Sequence, residues 1–358
     1  MKPRVLLVGR TRYRLPLNES LRRKFDALAE EVQPRVLASS ADRSRGDETF
    51  TLVRRLPVLD GAAFWALLPA RIARELRRRP TDAILAQSPY DGAAALLGRA
   101  LARSRARIIV DVHGDWRTAT RLYGSPLRRL LSPLGDRLSL AALRRADAVR
   151  SVSGYTEGLV REVGIEPAGV FPAFMDLDPF LADPVAPLPE QPQALFVGVL
   201  ELYKGIDVLA EAWRLAVSRV PKARLKIVGT GSRASIVESL VGDRVSWART
   251  LTSDEVARAL DESTALVLPS RSEGMGRVVL EAHCRGRAVI GSRVGGIPDL
   301  VHDGENGLLV DPDDAAGLAD TLERVLADPT LASRLGASGR EGVSEALGPT
   351  KEYAARLR

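Results

Sequence analysis

Between positions 269 and 282 the chain reads Pro-Ser-Arg-Ser-Glu-Gly-Met-Gly-Arg-Val-Val-Leu-Glu-Ala, following the strand-like run Ala265–Leu268. Gly274 and Gly276 let backbone N–H groups approach a ligand closely, and the helix that opens behind them favours an anion at its N-terminus. Glu273 and Glu281 fall at opposite ends of this loop–helix unit. Carboxylates accept hydrogen bonds from vicinal hydroxyls, so a sugar at one and a ribose at the other is sensible chemistry. Taken alone, such a pattern more often marks a cap and a solvated helix residue. Gly229-Thr230-Gly231-Ser232-Arg233-Ala234 imitates a dinucleotide fingerprint. A true one has an acid about 20 residues on, whereas here Val245-Ser246-Trp247 leads into Ala248-Arg249-Thr250, which argues for a phosphate- or base-facing turn instead.

Such residues need strands and helices to hold them. In the first half, strand signals fall at Arg4–Gly9 (closed by the glycine), Val36–Ala38, Thr49–Leu52, Ala83–Ala86, Arg107–Val112 and Ala148–Val152, and a helix over Leu21–Leu28 has Asn18 or Ser20 as its cap. Four prolines between Asp183 and Pro192 predict a stiff extended linker. The alternation then restarts: strands at Ala194–Leu200, Arg224–Val228, Val245–Trp247, Ala265–Leu268, Ala288–Gly291 and Gly307–Val310, and helices at Gly205–Arg219, Ser253–Ala259 and Val278–Cys284. This is an α/β pattern of two doubly wound parallel sheets, whose strand ends would face a cleft. The expected division is residues 1–182, a linker at 183–193, residues 194–340, and a C-terminal helix at 341–358 that packs back on the first domain.

The 358 residues suit two domains, and 45% hydrophobic with 27% charged is a globular composition. The single cysteine, Cys284, excludes a disulfide framework and a cysteine-based zinc site, and His113, His283 and His302 leave little for a histidine-rich metal centre. With no long uncharged stretch and no hydrophobic leader, the expected location is cytoplasmic. Net charge is +7, concentrated in residues 1–190 with 31 basic and 22 acidic side chains. Such a half invites an anionic partner, unless it reflects only a general preference for arginine. Residues 61–79 place Phe64, Trp65, Leu67 and Leu68 ahead of five arginines. This helix could lie in an anionic membrane interface, or pack on the sheet with its arginines solvated.

Added to Glu273–Ala282, the ordered runs Phe196-Val197-Gly198-Val199-Leu200-Glu201-Leu202-Tyr203-Lys204-Gly205, Leu225–Gly231, Gly286–Gly291, Val294–Val301 and Gly304–Val310 form a specific set. It resembles the C-terminal domain of the family 4 retaining glycosyltransferases, and Asp111-Val112-His113-Gly114, Ser151–Tyr155 and Phe171–Asp176 extend the resemblance loosely into the first half. The resemblance implies the GT-B architecture, two Rossmann-like domains, and a metal-independent hexosyltransferase that needs no cofactor beyond its nucleotide-sugar donor. It implies that Glu281 binds the ribose hydroxyls and Glu273 the donor sugar. Gly274, Met275, Gly276, Arg277 and Val278 would cradle sugar and diphosphate, Lys204 would neutralise the leaving diphosphate, and His113 would face the donor sugar. Gly198, Gly229 and Arg249 complete the expected donor set, with Gly295 and Gly296 fitting the next loop against it. The acceptor would be a sugar, a small molecule or a lipid-linked glycan, met by a loop holding Arg10, Arg12 and Tyr13; peripheral contact with the inner membrane face is an expected partner, nucleic acid is not. Relatives carry an arginine where this chain has Val199, which makes Arg277, Arg271, Arg249 and Arg10 candidate replacements. That loss keeps open a non-catalytic nucleotide-sugar-binding protein and a nucleotide-sugar epimerase.

Overall fold

A computed structural model describes residues 1–42, 46–53, 60–118, 126–242, 244–351 and 353–356, with side chains left undescribed at 60–63, 126–131 and 344–351. The chain divides into two compact units, Met1–Asp176 with Pro349–Arg358, and Leu177–Gly348.

The first unit is built on a seven-stranded sheet in the order β3-β2-β1-β4-β5-β6-β7. Its strands are β1 (Arg4–Tyr13), β2 (Gln33–Ser40), β3 (Phe50–Val53), β4 (Ala83–Ala86), β5 (Arg107–Val112), β6 (Ala148–Ser151) and β7 (Gly169–Val170), all paired in parallel. Strand β1 does not stop at Gly9. Its register against β2 shifts between Val8 and Arg12, and Tyr13 pairs with Ser40 beyond the irregularity. Tyr13 is therefore buried, its ring 5.2 Å from Phe50 and 5.9 Å from Phe25, and the acceptor role expected of it is corrected to a core role. Helices α1 (Glu19–Glu31), α2 (Asp60–Arg78), α3 (Pro89–Ala102), α4 (Pro126–Arg145) and α5 (Gly154–Glu162) flank the sheet. Asn18 caps α1 by accepting from the Leu21 N–H at 2.9 Å, and Ser20 is not the cap.

Helix α2 answers the membrane expectation in part. Phe64, Leu68 and Ile72 are buried in the same core as Leu6, Val8 and Ile84. The apolar face needed for insertion is used inside the protein, where each such side chain stabilises by about 1.5–3 kcal/mol. Leu67 alone of the large apolar residues named for that contact stays well exposed, at 49%. No helix among the described residues is long and apolar enough to cross a membrane.

The second unit repeats the winding on six parallel strands, β8 (Gln193–Val197), β9 (Arg224–Val228), β10 (Val245–Ala248), β11 (Ala265–Leu268), β12 (Ala288–Ser292) and β13 (Leu308–Val310), in the order β10-β9-β8-β11-β12-β13. Helices α6 (Asp178–Leu181), α7 (Ile206–Ala216), α8 (Ala234–Glu238), α9 (Ser253–Asp261), α10 (Arg277–Cys284), α11 (Ala315–Ala327) and α12 (Pro329–Lys351) follow, and α13 (Tyr353–Arg356) ends the described chain. In each sheet the order reverses between the first strand and the fourth, so the loops leaving β1 and β4, and those leaving β8 and β11, emerge side by side.

The Pro-rich segment is extended but does not stand alone: it belongs to the second unit. Prolines donate no hydrogen bonds, and the carbonyls here are met from outside. Buried Arg285 donates to Asp183 O (2.8 Å) and Pro184 O (3.0 Å), and buried Arg287 donates to Ala186 O (2.8 Å). Asp261 receives two further bonds from Arg285, at 2.8 and 2.7 Å. The compact units thus part at Asp176/Leu177 rather than in the proline run. Residues 349–356 fall with the first unit, where Tyr353 packs 6.2 Å from Phe171 and 6.0 Å from Phe174; of the expected C-terminal helix, residues 352, 357 and 358 lie outside the described residues.

Candidate active site

The loops after β8 and β11 carry the chemistry of the second unit. Gly198 follows β8, and the β9 loop nests directly on it: a Cβ at Gly229 (φ +145°) would lie 1.8 Å from Gly198 O, so only glycine fits. Trp247 reinforces the turn by donating its indole N–H to Gly229 O at 2.9 Å, and Arg249 stacks on the Trp247 ring at 4.3 Å. The Glu201 carboxylate accepts from the Ser232 N–H (3.0 Å) and hydroxyl (2.6 Å), tying the two loops together. A 3-10 turn over Leu202–Lys204 then delivers Lys204, and Gly205 (φ +64°) passes the chain into α7.

Across from it, the Pro269–Gly276 loop delivers Glu273. The Lys204 ammonium donates a hydrogen bond to the Glu273 carboxylate, and both side chains are largely shielded from solvent. The loop after β12 closes on the same point. Gly296 N–H donates to Glu273 O at 3.0 Å, and a Cβ at Gly295 (φ +56°) would lie 1.8 Å from that oxygen. Gly276, at φ +77°, turns the backbone into α10. One turn inside, Glu281 is buried; desolvation raises its pKa, and Arg277 counteracts this with a 2.8 Å hydrogen bond. Ser270, fully buried between β11 and this loop, has a hydroxyl with no hydrogen-bond partner among the described residues.

The structure therefore brings Gly198, Lys204, Gly229, Arg249 and Glu273–Val278 onto one cluster of loops at the strand ends, with Glu281 on the helix that follows. Arg271 is not free to replace an absent cation. It donates to both oxygens of Asp207 (2.8 and 2.9 Å), to Asp313 (2.5 Å) and to Leu202 O (2.7 Å). Burial raises the Asp207 carboxyl, yet the bonds and charge of Arg271 outweigh this and hold its pKa below the usual range. Arg277 is held by Glu281, and Arg249 by Trp247 and by Glu238 at 3.5 Å. Val199 itself is exposed.

His113, Arg10 and Arg12 lie in the first unit. His113 follows β5 with its Nε2 3.5 Å from buried Asp111. Arg10 stands 5.5 Å from the Trp65 ring centroid, and the Trp65 indole donates at 3.1 Å to Asp91. That carboxyl is buried at the start of α3, where desolvation raises its pKa against the bonds from Ser88 and Trp65. Sequence reasoning gave no site role to Asp91, Trp65, Asp207 or Trp247; the bonds Trp65–Asp91, Arg271–Asp207 and Trp247–Gly229 that place them join residues far apart in the chain.

The second unit has the winding and loop set of a GT-B sugar-nucleotide domain, and the structural relatives agree. The model "Glycosyl transferases group 1" matches residues 191–328, and "Glycosyltransferase Family 4" matches residues 20–178. The chain is 30% identical over 278 residues to a GDP-mannose-dependent alpha-(1-6)-phosphatidylinositol monomannoside mannosyltransferase of Mycolicibacterium smegmatis, covering 69% of this chain and 68% of that protein. An alpha-D-kanosaminyltransferase of Streptomyces kanamyceticus is 27% identical, covering 77% and 75%. Sulfoquinovosyl transferase of Arabidopsis thaliana is 32% identical over 43% of this chain, which spans only 30% of that protein. In fold, sucrose-phosphate synthase of Thermosynechococcus elongatus superposes with a TM-score of 0.81 at 22% identity, covering 99% and 98% of the two chains. HepE of Anabaena, solved with UDP and glucose, gives 0.73 at 18%, with the same coverage. The architecture is GT-B. The chain belongs to the family 4, group 1 glycosyltransferases.

Proposed function

We propose that this chain is a retaining glycosyltransferase that moves a sugar from a nucleoside diphosphate sugar to an acceptor hydroxyl without a metal. The observation that carries the reading is the shielded Lys204–Glu273 pair, set between glycine-lined loops and followed by a helix with buried Glu281. In it, Glu281 accepts from the ribose hydroxyls, and the Gly274–Val278 backbone with the N-terminus of α10 receives the diphosphate. Lys204 stabilises the charge that grows on the leaving phosphate, and Glu273 holds hydroxyls of the donor sugar beside the reacting carbon. The bond from anomeric carbon to phosphate oxygen breaks, the acceptor oxygen bonds to the same face, and the departing phosphate oxygen takes its proton. Positioning and fixed charges supply the catalysis. His113 contributes a ring nitrogen toward the sugar.

The relatives differ in the nucleotide or sugar their names carry, so the donor base stays a matter for binding. Names such as phosphatidylinositol monomannoside mannosyltransferase and D-inositol 3-phosphate glycosyltransferase support a phosphorylated polyol or its lipid-linked form as the acceptor class. The basic first half, with Arg10 and Arg12 at the end of β1, suits that charge. Contact with an anionic inner membrane face is proposed only as an electrostatic one, through exposed Arg74 and Arg78; low-salt co-sedimentation with anionic vesicles and release at high salt tests it. Exposed Val199, with Arg271 and Arg277 already paired, favours a second reading, a non-catalytic nucleotide-sugar binder.

Purified protein with a panel of nucleotide sugars, read by nucleotide release, separates these. A transferase releases nucleotide only with acceptor and loses this in Glu273→Ala. A binder releases none, and an epimerase isomerises the donor without acceptor.

A further inference from the structure

Two charged residues stand inside the first sheet where its pattern calls for apolar ones. Asp111 on β5 and Arg150 on β6 are register partners, and each is almost wholly buried. The Arg150 fork is bidentate: Nε to Asp111 Oδ1 and Nη2 to Oδ2, both at 2.8 Å. A buried pair of this kind often adds no stability over apolar residues of the same volume, so its presence asks for another use.

The geometry beyond the pair supplies one. Asp111 Oδ2 also faces His113 Nε2 at 3.5 Å, and His113 is the first residue beyond the strand, with 41% of its side chain exposed. On the far side the Arg150 guanidinium carbon lies 4.6 Å from the Phe171 ring centroid and 5.3 Å from that of Tyr353. Its Nη1 has no hydrogen-bond partner among the described residues, so aromatic faces and the Asp111 fork hold this cation. Burial pushes the Asp111 carboxyl up, but the charge and the fork of Arg150 outweigh it and keep the group ionised as an acceptor.

We propose that Asp111 and Arg150 are positioning residues for His113. They fix its ring with the Nε2–H turned to Asp111 and the Nδ1 lone pair turned outward, ready to accept from a hydroxyl of a bound sugar. Tyr353, from the C-terminal segment, backs Arg150 from behind. One ring nitrogen of a histidine is set by the partner the other faces, and here the other stands 3.5 Å from a carboxylate that the Arg150 fork holds in place. The inference rests on the reading that His113 acts in sugar transfer, but its wiring is observable without turnover.

The test uses the full chain with ¹⁵N-labelled histidine, the His113 signals being assigned by their loss in His113→Gln. A ring N–H bonded to a buried carboxylate is shielded from exchange, so the parent is expected to show a His113 Nε2–H proton signal near neutral pH. Asp111→Leu and Arg150→Met made together remove the pair without stranding a charge. This double variant is expected to lose the signal and at least about tenfold in kcat, with donor KM changed less than about twofold. Arg150→Lys, which keeps the charge but not the fork, should fall between. Absence of the signal in the parent, or its persistence in the double variant, overturns the proposal; the parent measurement stands even where the double variant does not fold. Loss of the signal with kcat unchanged leaves the wiring in place and removes His113 from the transfer reaction.

Discussion

Replacing Glu273 with glutamine should separate binding from turnover in opposite directions. The Lys204 ammonium is engaged by Glu273, with the two side chains 13% and 16% exposed. An incoming diphosphate must draw on the same cation. At an effective dielectric of about 20 two charges 4 Å apart attract by ~4 kcal/mol, and desolvation leaves a net coupling of about 1 kcal/mol for a partly shielded pair. Glu273→Gln keeps the shape and removes the competing charge, so nucleoside diphosphate should bind about fivefold tighter. The same change removes the acceptor for the sugar hydroxyls, and turnover should fall at least about 100-fold, the scale of one lost charge-assisted partner. Lys204→Ala should weaken both, lowering kcat/KM at least about 100-fold. A thermal-shift screen against UDP, GDP and ADP selects the nucleotide, calorimetric titration gives the affinities, and nucleotide release gives the rates. Unchanged affinity in Glu273→Gln together with less than a fivefold loss in Lys204→Ala would refute the reasoning, because it would make the pair a surface ornament of the turn.

Three further outcomes follow from the packing. Gly205→Ala places a Cβ 1.9 Å from Pro269 O at a φ of +64° and should cost at least ~2–3 kcal/mol by urea unfolding. Gly158→Ala, inside α5 with nothing within 4 Å of the added atom, should instead gain ~0.5–1 kcal/mol, and equal effects would count against the geometry. Burial pulls the His283 pKa down from 6.5 to about 4. The unfolded chain therefore binds the proton first, so this contribution is complete above pH 6.5 and fades as pH falls toward 4, by up to ~3 kcal/mol. His283→Gln should flatten that slope in unfolding series run between pH 7 and 4.5; parallel slopes would contradict it. Arg285→Met takes both hydrogen bonds from the Asp261 carboxylate and leaves the carbonyls of Asp183 and Pro184 unmet, which should cost ~3 kcal/mol or more and open residues 183–192 to limited proteolysis, while an unaltered digestion pattern would dismiss the anchor.

Much of the second unit was legible because its signals are local. Glycines at loop tips, glutamates at fixed spacing and apolar runs of strand length each leave a mark within a few residues, and β9 and β11 fall where the pattern put them. The first unit was harder. Strand β7 has only two residues, too short for any periodicity, and β1 outlasts its glycine because the irregularity before Arg12 resets the register. Helix α2 read as core or interface, and it is the burial of Phe64, Leu68 and Ile72 that joins it to the sheet. The one available signal for the Asp111–Arg150 pair was an acid and a base, each set in an otherwise apolar strand run, and nothing short of the register could join them.

The glycines of the loops after β8, β9 and β12 bear on how such a protein can change. At Gly205, Gly229 and Gly295 the neighbour that a side chain would strike is a backbone carbonyl, that of Pro269, Gly198 and Glu273 respectively. A carbonyl cannot be trimmed by a second mutation, so no compensating substitution exists and these positions are closed to drift. The exposed side chains between and beside them, Val199 and Thr230, meet no such limit. Variation in these loops must therefore enter through those few interstitial residues and through the strand ends, on a frame whose width is set by peptide against peptide. A saturation library over this region should return two populations, invariant at the three glycines and broadly permissive at Val199 and Thr230.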